Sequence, residues 1–282
     1  MSSPASVAKA SRWQAETDSG GRFRFGRNWS HFLHRLEDED IVEAKASLKQ
    51  WLETESLADV SFLDIGCGSG LFSLGARKLG AAVHSFDYDP DSVECARELQ
   101  RCCSSEHDHW TIERGSILDL DFVKRLGKYD IVYAWGVLHH TGDLWRAMEH
   151  AAIPVKPGGK LFVAIYNDQG LKSRMWRAVK RFYNSGRIGR VLVCLTFIPY
   201  WVARGLVVDS LRFRNPVARY RRRGEARAMR VVTDWFDWLG GYPFEVARPE
   251  QVFDFYKQRG FKLARLKTVG GRLGNNQFVF VR

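Results

Sequence analysis

The sequence predicts an α/β fold with a mostly parallel sheet, on three observations. Apolar strand-like runs alternate with helical stretches, the first run empties into a glycine-rich turn, and the last two runs face each other across Gly270-Gly271. Strictly alternating strands and helices imply parallel pairing through right-handed crossovers. Val60-Ser-Phe-Leu-Asp64 reads as the first strand, followed by Gly66, Gly68 and Gly70 and a helix from Leu71. Ala81–Asp87 reads as a second buried strand, and it too ends in an acid. A third lies before the segment Ile112–Asp119. Tyr129–Trp135 is apolar almost throughout, as a strand covered on both faces must be. The turn at Lys156-Pro-Gly-Gly159 feeds a fifth strand that ends at Tyr166. Leu71–Leu79, Asp91–Leu99 and Asp143–Ala152 are the helical stretches between strands, with Asp143 placed to cap the last of them. Helix Pro249–Arg259 and the strands Phe261–Thr268 and Gln277–Val281 finish the chain as an antiparallel hairpin.

The first turn carries the chemistry. Glycines remove the Cβ that would block a ligand, and the helix behind them presents free N–H groups. Asp87 closes the neighbouring strand, where a carboxylate can accept two hydrogen bonds from a ribose diol. Asp89, next to Pro90, reads instead as turn former and helix cap. A dinucleotide fingerprint would space its glycines Gly-x-Gly-x-x-Gly. Here the spacing is Gly-x-Gly-x-Gly, with Asp64 two residues ahead.

That pattern resembles motif I of the class I S-adenosylmethionine (SAM) methyltransferases. Ile112–Asp119 resembles the family's adenine-contacting segment, with Ser116 where many members carry Asp, and Lys156–Tyr166 is similar to its Leu-Lys-Pro-Gly-Gly segment. The resemblance covers roughly residues 55–168 and 245–282. It implies a Rossmann-like, seven-stranded methyltransferase sheet whose cofactor is SAM. Asp64, Gly66, Cys67 and Gly68 would hold the methionine part and Asp87 the ribose. Tyr88, Ser116 and Ile117 would meet the adenine, and Trp135 would close the list at the end of strand four. No metal site is expected: the ubiquinone-pathway O-methyltransferases, some of which bind a divalent ion through a Glu/Glu/His set, carry glutamates where this chain has Gly136 and His139. Their motif histidine falls at His140.

Methyl transfer to a hydroxyl needs a group to take the proton, and histidine ordinarily titrates near neutrality. His140 and His139, in the loop after strand four, are the two candidate bases. Tyr166 and Asn167 are expected to line the acceptor pocket. Two aromatic clusters, Phe23-Arg-Phe-Gly-Arg-Asn-Trp29 and Trp235–Phe244, read either as closures of the site or as packed joints.

Length and composition bound the rest. The chain has 282 residues, enough for one large domain with a lid, and 45% are apolar. Its five cysteines show no metal spacing, which points to a reduced, cytoplasmic protein, and Met1–Ser6 lacks the pattern of a secretory signal. Residues 1–54 read as an N-terminal helical cap, 55–168 as the SAM-binding core, 169–244 as a basic, aromatic-rich helical insertion acting as a lid, and 245–282 as the helix and hairpin that complete the core. Residues 171–230 hold sixteen Lys or Arg against two acids, so the insertion alone accounts for the whole chain's net charge of +11.

Lys172–Tyr183 in that insertion reads as a basic amphipathic helix. Val191–Val208 is apolar enough to raise the question of a membrane span, which Arg204 and a kink at Pro199 argue against. Three roles stay open: a buried helix pair over the site, a lid that rests on an anionic membrane surface between Arg187, Arg190, Arg212 and Arg214, and an RNA contact through Arg219-Tyr-Arg-Arg-Arg223. RNA ranks last because no RNA-binding module is recognisable. The expected function is SAM-dependent methylation, on oxygen, of a small or lipid-linked acceptor, in the cytoplasm or peripherally on the inner membrane face. The alternatives are tRNA modification, since Gly136–His140 is also similar to a segment of wobble-uridine enzymes, and a non-catalytic SAM-binding assembly subunit.

Overall fold

The computed structural model describes residues 13–26, 36–103, 109–212 and 231–282, with side chains from 235 onward in the last stretch. Trp29, Arg214 and the run Arg219–Arg223 lie outside them. Seven strands form one sheet: β1 Ser61–Ile65, β2 Ala82–Asp87, β3 Trp110–Arg114, β4 Tyr129–Trp135, β5 Val155–Tyr166, β6 Lys262–Lys267 and β7 Asn275–Val281. Their order is β3-β2-β1-β4-β5-β7-β6, with β7 antiparallel to both neighbours and every other pairing parallel. The expected mostly parallel sheet with its C-terminal hairpin is the observed one.

Period-two alternation sorts the strand residues onto two faces. Leu63, Val132, Ala134, Leu161, Val163, Phe278 and Phe280 join one core cluster. Phe62, Ile131, Tyr133, Phe162 and Val279 join the other. Helices cover both faces: α1 Asp38–Leu52, α2 Leu71–Lys78 and α3 Pro90–Cys103 on the second, α5 Leu144–Ala152 and α9 Pro249–Lys257 on the first. α4, Leu120–Arg125, is a short helix that no periodicity announces; Asp119 caps it by accepting the Phe122 N–H. Asp143 caps α5 in the same way. The Gly158-Gly159 turn bulges β5, so pairing slips between Tyr129 and Ile131.

The insertion holds α6 Leu171–Asn184, α7 Arg187–Leu211 and α8 Val231–Gly240. Its apolar centre is Trp176, Tyr183, Val193, Leu239 and Phe244, apart from both faces of the sheet. The run 191–208 does not fold as a pair of helices. α7 is a single helix of 25 residues with Pro199 inside it. Pro199 lies on the exposed side, so the carbonyl freed by its missing N–H faces outward rather than into the core.

Candidate functional site

The strand order reverses between β1 and β4, the place where open α/β sheets bind ligands. A cleft opens there. Its walls come from the turn after β1, the ends of β2 and β4, the turn after β3, and a strap formed by residues 13–26.

Asp64, Gly66, Cys67, Gly68, Asp87, Tyr88, Ser116, Ile117, Trp135 and His140 all line it. Gly66 sits at φ +69°, and a Cβ there would come within 2.2 Å of a Val137 methyl. Both Gly66 and Cys67 donate their N–H to the Phe86 carbonyl, which locks the turn onto the end of β2. Gly68 N–H donates to Asp87 Oδ2 at 3.0 Å, and Asp89 N–H donates to Asp87 Oδ1 at 2.9 Å. The Asp87 carboxylate is therefore fixed at the turn, with lone pairs remaining for a diol.

Asp64 ends a buried relay. Trp110 Nε1–H donates to Ser85 at 2.8 Å, and Ser73 donates to Asp64 at 2.5 Å. With the Ser73 proton committed to Asp64, the 2.7 Å contact between the two hydroxyls is a donation from Ser85 to Ser73. All three donors point toward one carboxylate. Burial pushes the Asp64 pKa up to about 7, with Ser73 opposing the shift and Asp87 adding to it. Burial likewise lifts Asp87 to about 6, helped by the charge of Asp89. The Cys67 thiol is driven well up by burial and then by Asp87 and Asp64, so it stays protonated. A cationic ligand would relieve both carboxylates.

Tyr88 lines the cleft with Arg22 4.9 Å and Arg114 5.9 Å from its ring. Trp135 is held by its indole N–H on Gln277 Oε1 at 3.1 Å. Ser116 Oγ accepts the Leu118 N–H and so also shapes the turn after β3.

The two histidines part company. His140 Nδ1 lies 2.7 Å from the Pro243 carbonyl. A carbonyl only accepts, so the proton sits on Nδ1 and the basic lone pair is on Nε2. His139 is fully buried, its ring 3.9 Å from that of Tyr166, and it does not line the cleft. An acceptor in the cleft cannot reach it, and only His140 is carried forward as base. Asn167 is also displaced from its expected place. It donates to the Arg272 carbonyl and accepts from Asn276, which ties β5 to the hairpin instead of lining a pocket. Tyr166 packs among His139, Trp238 and Phe244.

Residues the motifs did not single out complete the walls. Phe72 stacks on Tyr133 at 5.3 Å, and both face the cleft. The strap contributes Trp13, Arg22, Phe23 and Phe25. Arg22 donates to the carbonyls of His140 and Thr141, and Gly26 N–H donates to Asp89 Oδ2 at 2.8 Å. Phe25 lies 5.0 Å from the His140 ring. Asp89 thus caps α3 through Asp91 N–H and anchors the strap as well. The Phe23-Arg-Phe cluster was the legible trace of this closure. No described residue of the insertion lines the cleft. It braces the strap from behind, where a Cβ on Gly240 would strike the Phe23 ring.

Among the described residues, no three His, Cys, Asp or Glu are grouped to hold a metal ion. Residues 63–161 match the family described as Methyltransferase domain. This segment is a class I SAM methyltransferase core. A ubiquinone biosynthesis O-methyltransferase from Xanthomonas oryzae pv. oryzae is 36% identical over 111 residues, covering 39% of this chain and 45% of the relative. A ribosomal protein L11 methyltransferase from Burkholderia ambifaria is 38% identical over 113 residues, covering 40% of this chain and 34% of the relative. The chain thus spans less than half the length of these curated relatives, and their names point to different acceptors. Magnesium protoporphyrin IX methyltransferase from Synechocystis PCC 6803, solved with bound SAH, superposes with a TM-score of 0.50 at 17% identity over 86% of each chain. That likeness is one of fold.

Proposed function

We propose that this chain is a SAM-dependent methyltransferase that methylates a hydroxyl oxygen of a small or lipid-linked acceptor. One observation carries the reading. The glycine turn, its two fixed carboxylates and His140, whose Nδ1 is engaged by the Pro243 carbonyl, line the same cleft.

The residues fit the cofactor. A turn whose first glycine leaves no room for a Cβ, a carboxylate at the end of each of two adjacent strands, and an apolar wall of Ile117, Leu118 and Val137 match an amino acid cation, a ribose and an adenine. When bound, SAM supplies a methyl group on a sulfonium, which needs no further activation. The protein's work is to position, to desolvate and to accept a proton. Asp64 holds the ammonium and Asp87 the ribose hydroxyls. His140 Nε2 would take the acceptor's hydroxyl proton as the carbon–oxygen bond forms and the carbon–sulfur bond breaks, the sulfur leaving as a neutral thioether, and the resulting imidazolium would be steadied by its Nδ1–H on Pro243. The strap excludes water by laying Phe25 and Arg22 across the opening.

The test is incubation with methyl-labelled SAM and fractionated cell extract. Label in a small or lipid-soluble product, as a base-stable ether, is the expected outcome. Label recovered in RNA or protein, or tight SAM binding with no transfer to any fraction, overturns the reading.

A further inference from the structure

We infer that α7 is a membrane-docking element: its exposed face lies in the plane of a bilayer surface that carries anionic lipid. This goes beyond the methyl-transfer reading and does not depend on it.

The inference starts from how α7 is packed. Gly189, Val193, Phe197, Trp201, Gly205 and Asp209 recur every four residues, and all are buried or half-buried. This row seats the helix on α6 and α8. The opposite rows are exposed throughout. One runs Val191, Leu195, Pro199, Ala203, Val207, Leu211, and every member is apolar. Its neighbour runs Ile188, Leu192, Thr196, Tyr200, Arg204. Leu195 is 67% exposed, Ile188 77% and Leu211 75%. Only 11% of the most apolar 18-residue stretch is buried, although its mean hydropathy is 1.9. At 1.5 Å per residue the apolar row runs about 30 Å, and one helix is about 10 Å across. A continuous apolar strip of that size marks an interaction surface.

Charge decides what covers it. Residues 171–212 contain nine Lys or Arg and a single acid, Asp209, which is itself buried. A second copy packing face to face would bring like charges together. An anionic bilayer is complementary. Arg187 and Arg190 flank one end of the strip, Arg212 the other, and Arg204 stands at its edge, where a long basic side chain reaches headgroups.

Spanning is a poorer fit than lying flat. A span would pull the Val193–Gly205 row out of the cluster it shares with Trp176 and Leu239. It would also place Arg204 in hydrocarbon at a cost of about 2.5–3.5 kcal/mol near the centre. In the interfacial orientation the carbonyl freed by Pro199 remains within reach of water.

The test is co-sedimentation of the full chain with phosphatidylcholine vesicles, with or without phosphatidylglycerol. Binding to the phosphatidylglycerol vesicles, weakening as salt rises, is expected. The double variant Leu195→Glu/Val207→Glu lowers the partition coefficient by at least about tenfold, because two exposed apolar anchors become charges. Its calorimetric SAM affinity and circular dichroism stay at the wild-type values. Arg204→Glu, which disturbs no packing, lowers binding to phosphatidylglycerol vesicles and leaves the phosphatidylcholine baseline unchanged. The inference is overturned if the wild type stays in the supernatant with both vesicles, if both variants bind like the wild type, or if the wild type is a dimer that the double variant disperses without vesicles playing any part. None of these outcomes bears on SAM affinity or methyl transfer, which are read separately.

Discussion

The cleft and the α6–α7 hairpin are built on opposite terms. In the cleft, polar groups are buried or half-buried and each is tied to a stated partner: Asp64 to Ser73, Asp87 to Gly68 and Asp89, His140 to Pro243. In the hairpin, apolar groups are exposed while the lone acid is buried. The first region bears the cost of burial for the sake of a ligand's chemistry. The second leaves apolar area in water, as a surface waiting for a less polar medium does. A catalytic site and a docking face can therefore be told apart by which class of atom is in the unexpected place.

The comparison is most exposed at His140. His140→Ala is expected to lower turnover by about 10²–10⁴-fold, the usual share of a general base, while SAM affinity holds within about twofold. A fully active mutant would remove the cleft's claim to proton transfer. The α7 variants should leave turnover on a water-soluble acceptor unchanged, and a parallel loss there would merge the two regions.

Asp87→Ala comes next. It is expected to weaken SAM binding by about 1–3 kcal/mol, the penalty for buried hydroxyls left without an acceptor. Unchanged calorimetric affinity would reject the ribose assignment. Arg22→Ala removes two hydrogen bonds that hold the strap and is expected to speed cofactor dissociation about tenfold, measurable by stopped-flow, with a smaller change in association.

The mildest effect is on pH dependence. Asp64 and Asp87 have pKa values raised to about 7 and about 6 in the fold, from an ordinary carboxylate value of 3.8. A raised folded pKa means that the stability these groups contribute is present below about pH 4 and is lost as pH rises through 6 and 7. Cationic SAM favours the ionised forms. Its affinity should rise several-fold between pH 5.5 and 8, a fraction of a proton linked on average, with proton release detectable by calorimetry in buffers of different ionisation enthalpy. A flat profile would show that neither carboxylate meets the ligand's charge.

Much of the core was legible because its signals are local. A strand that empties into Gly66, Gly68 and Gly70 needs only neighbouring residues to be read, and so does a carboxylate ending the next strand. The residues that escaped depend on distant contacts. Arg22 acquires its meaning from carbonyls more than a hundred positions away, and nothing in Gly-Arg-Phe-Arg foretells that. His139 and His140 are adjacent and identical in type, and only the packing of Tyr166 and the Pro243 carbonyl separates them. Residue type and spacing left a buried helix pair and a lid resting on a membrane both open at 191–208, and the exposed face of α7 is visible only once its neighbours are placed.

Asp89 shares one carboxylate between two clients. It accepts the strap's Gly26 N–H, and its charge is the second cause of the raised Asp87 pKa. That N–H favours the charged form of Asp89, so lifting the strap lets Asp89 take a proton more readily and eases its repulsion of Asp87. The position of the strap and the charge carried at the end of β2 are then two faces of one equilibrium.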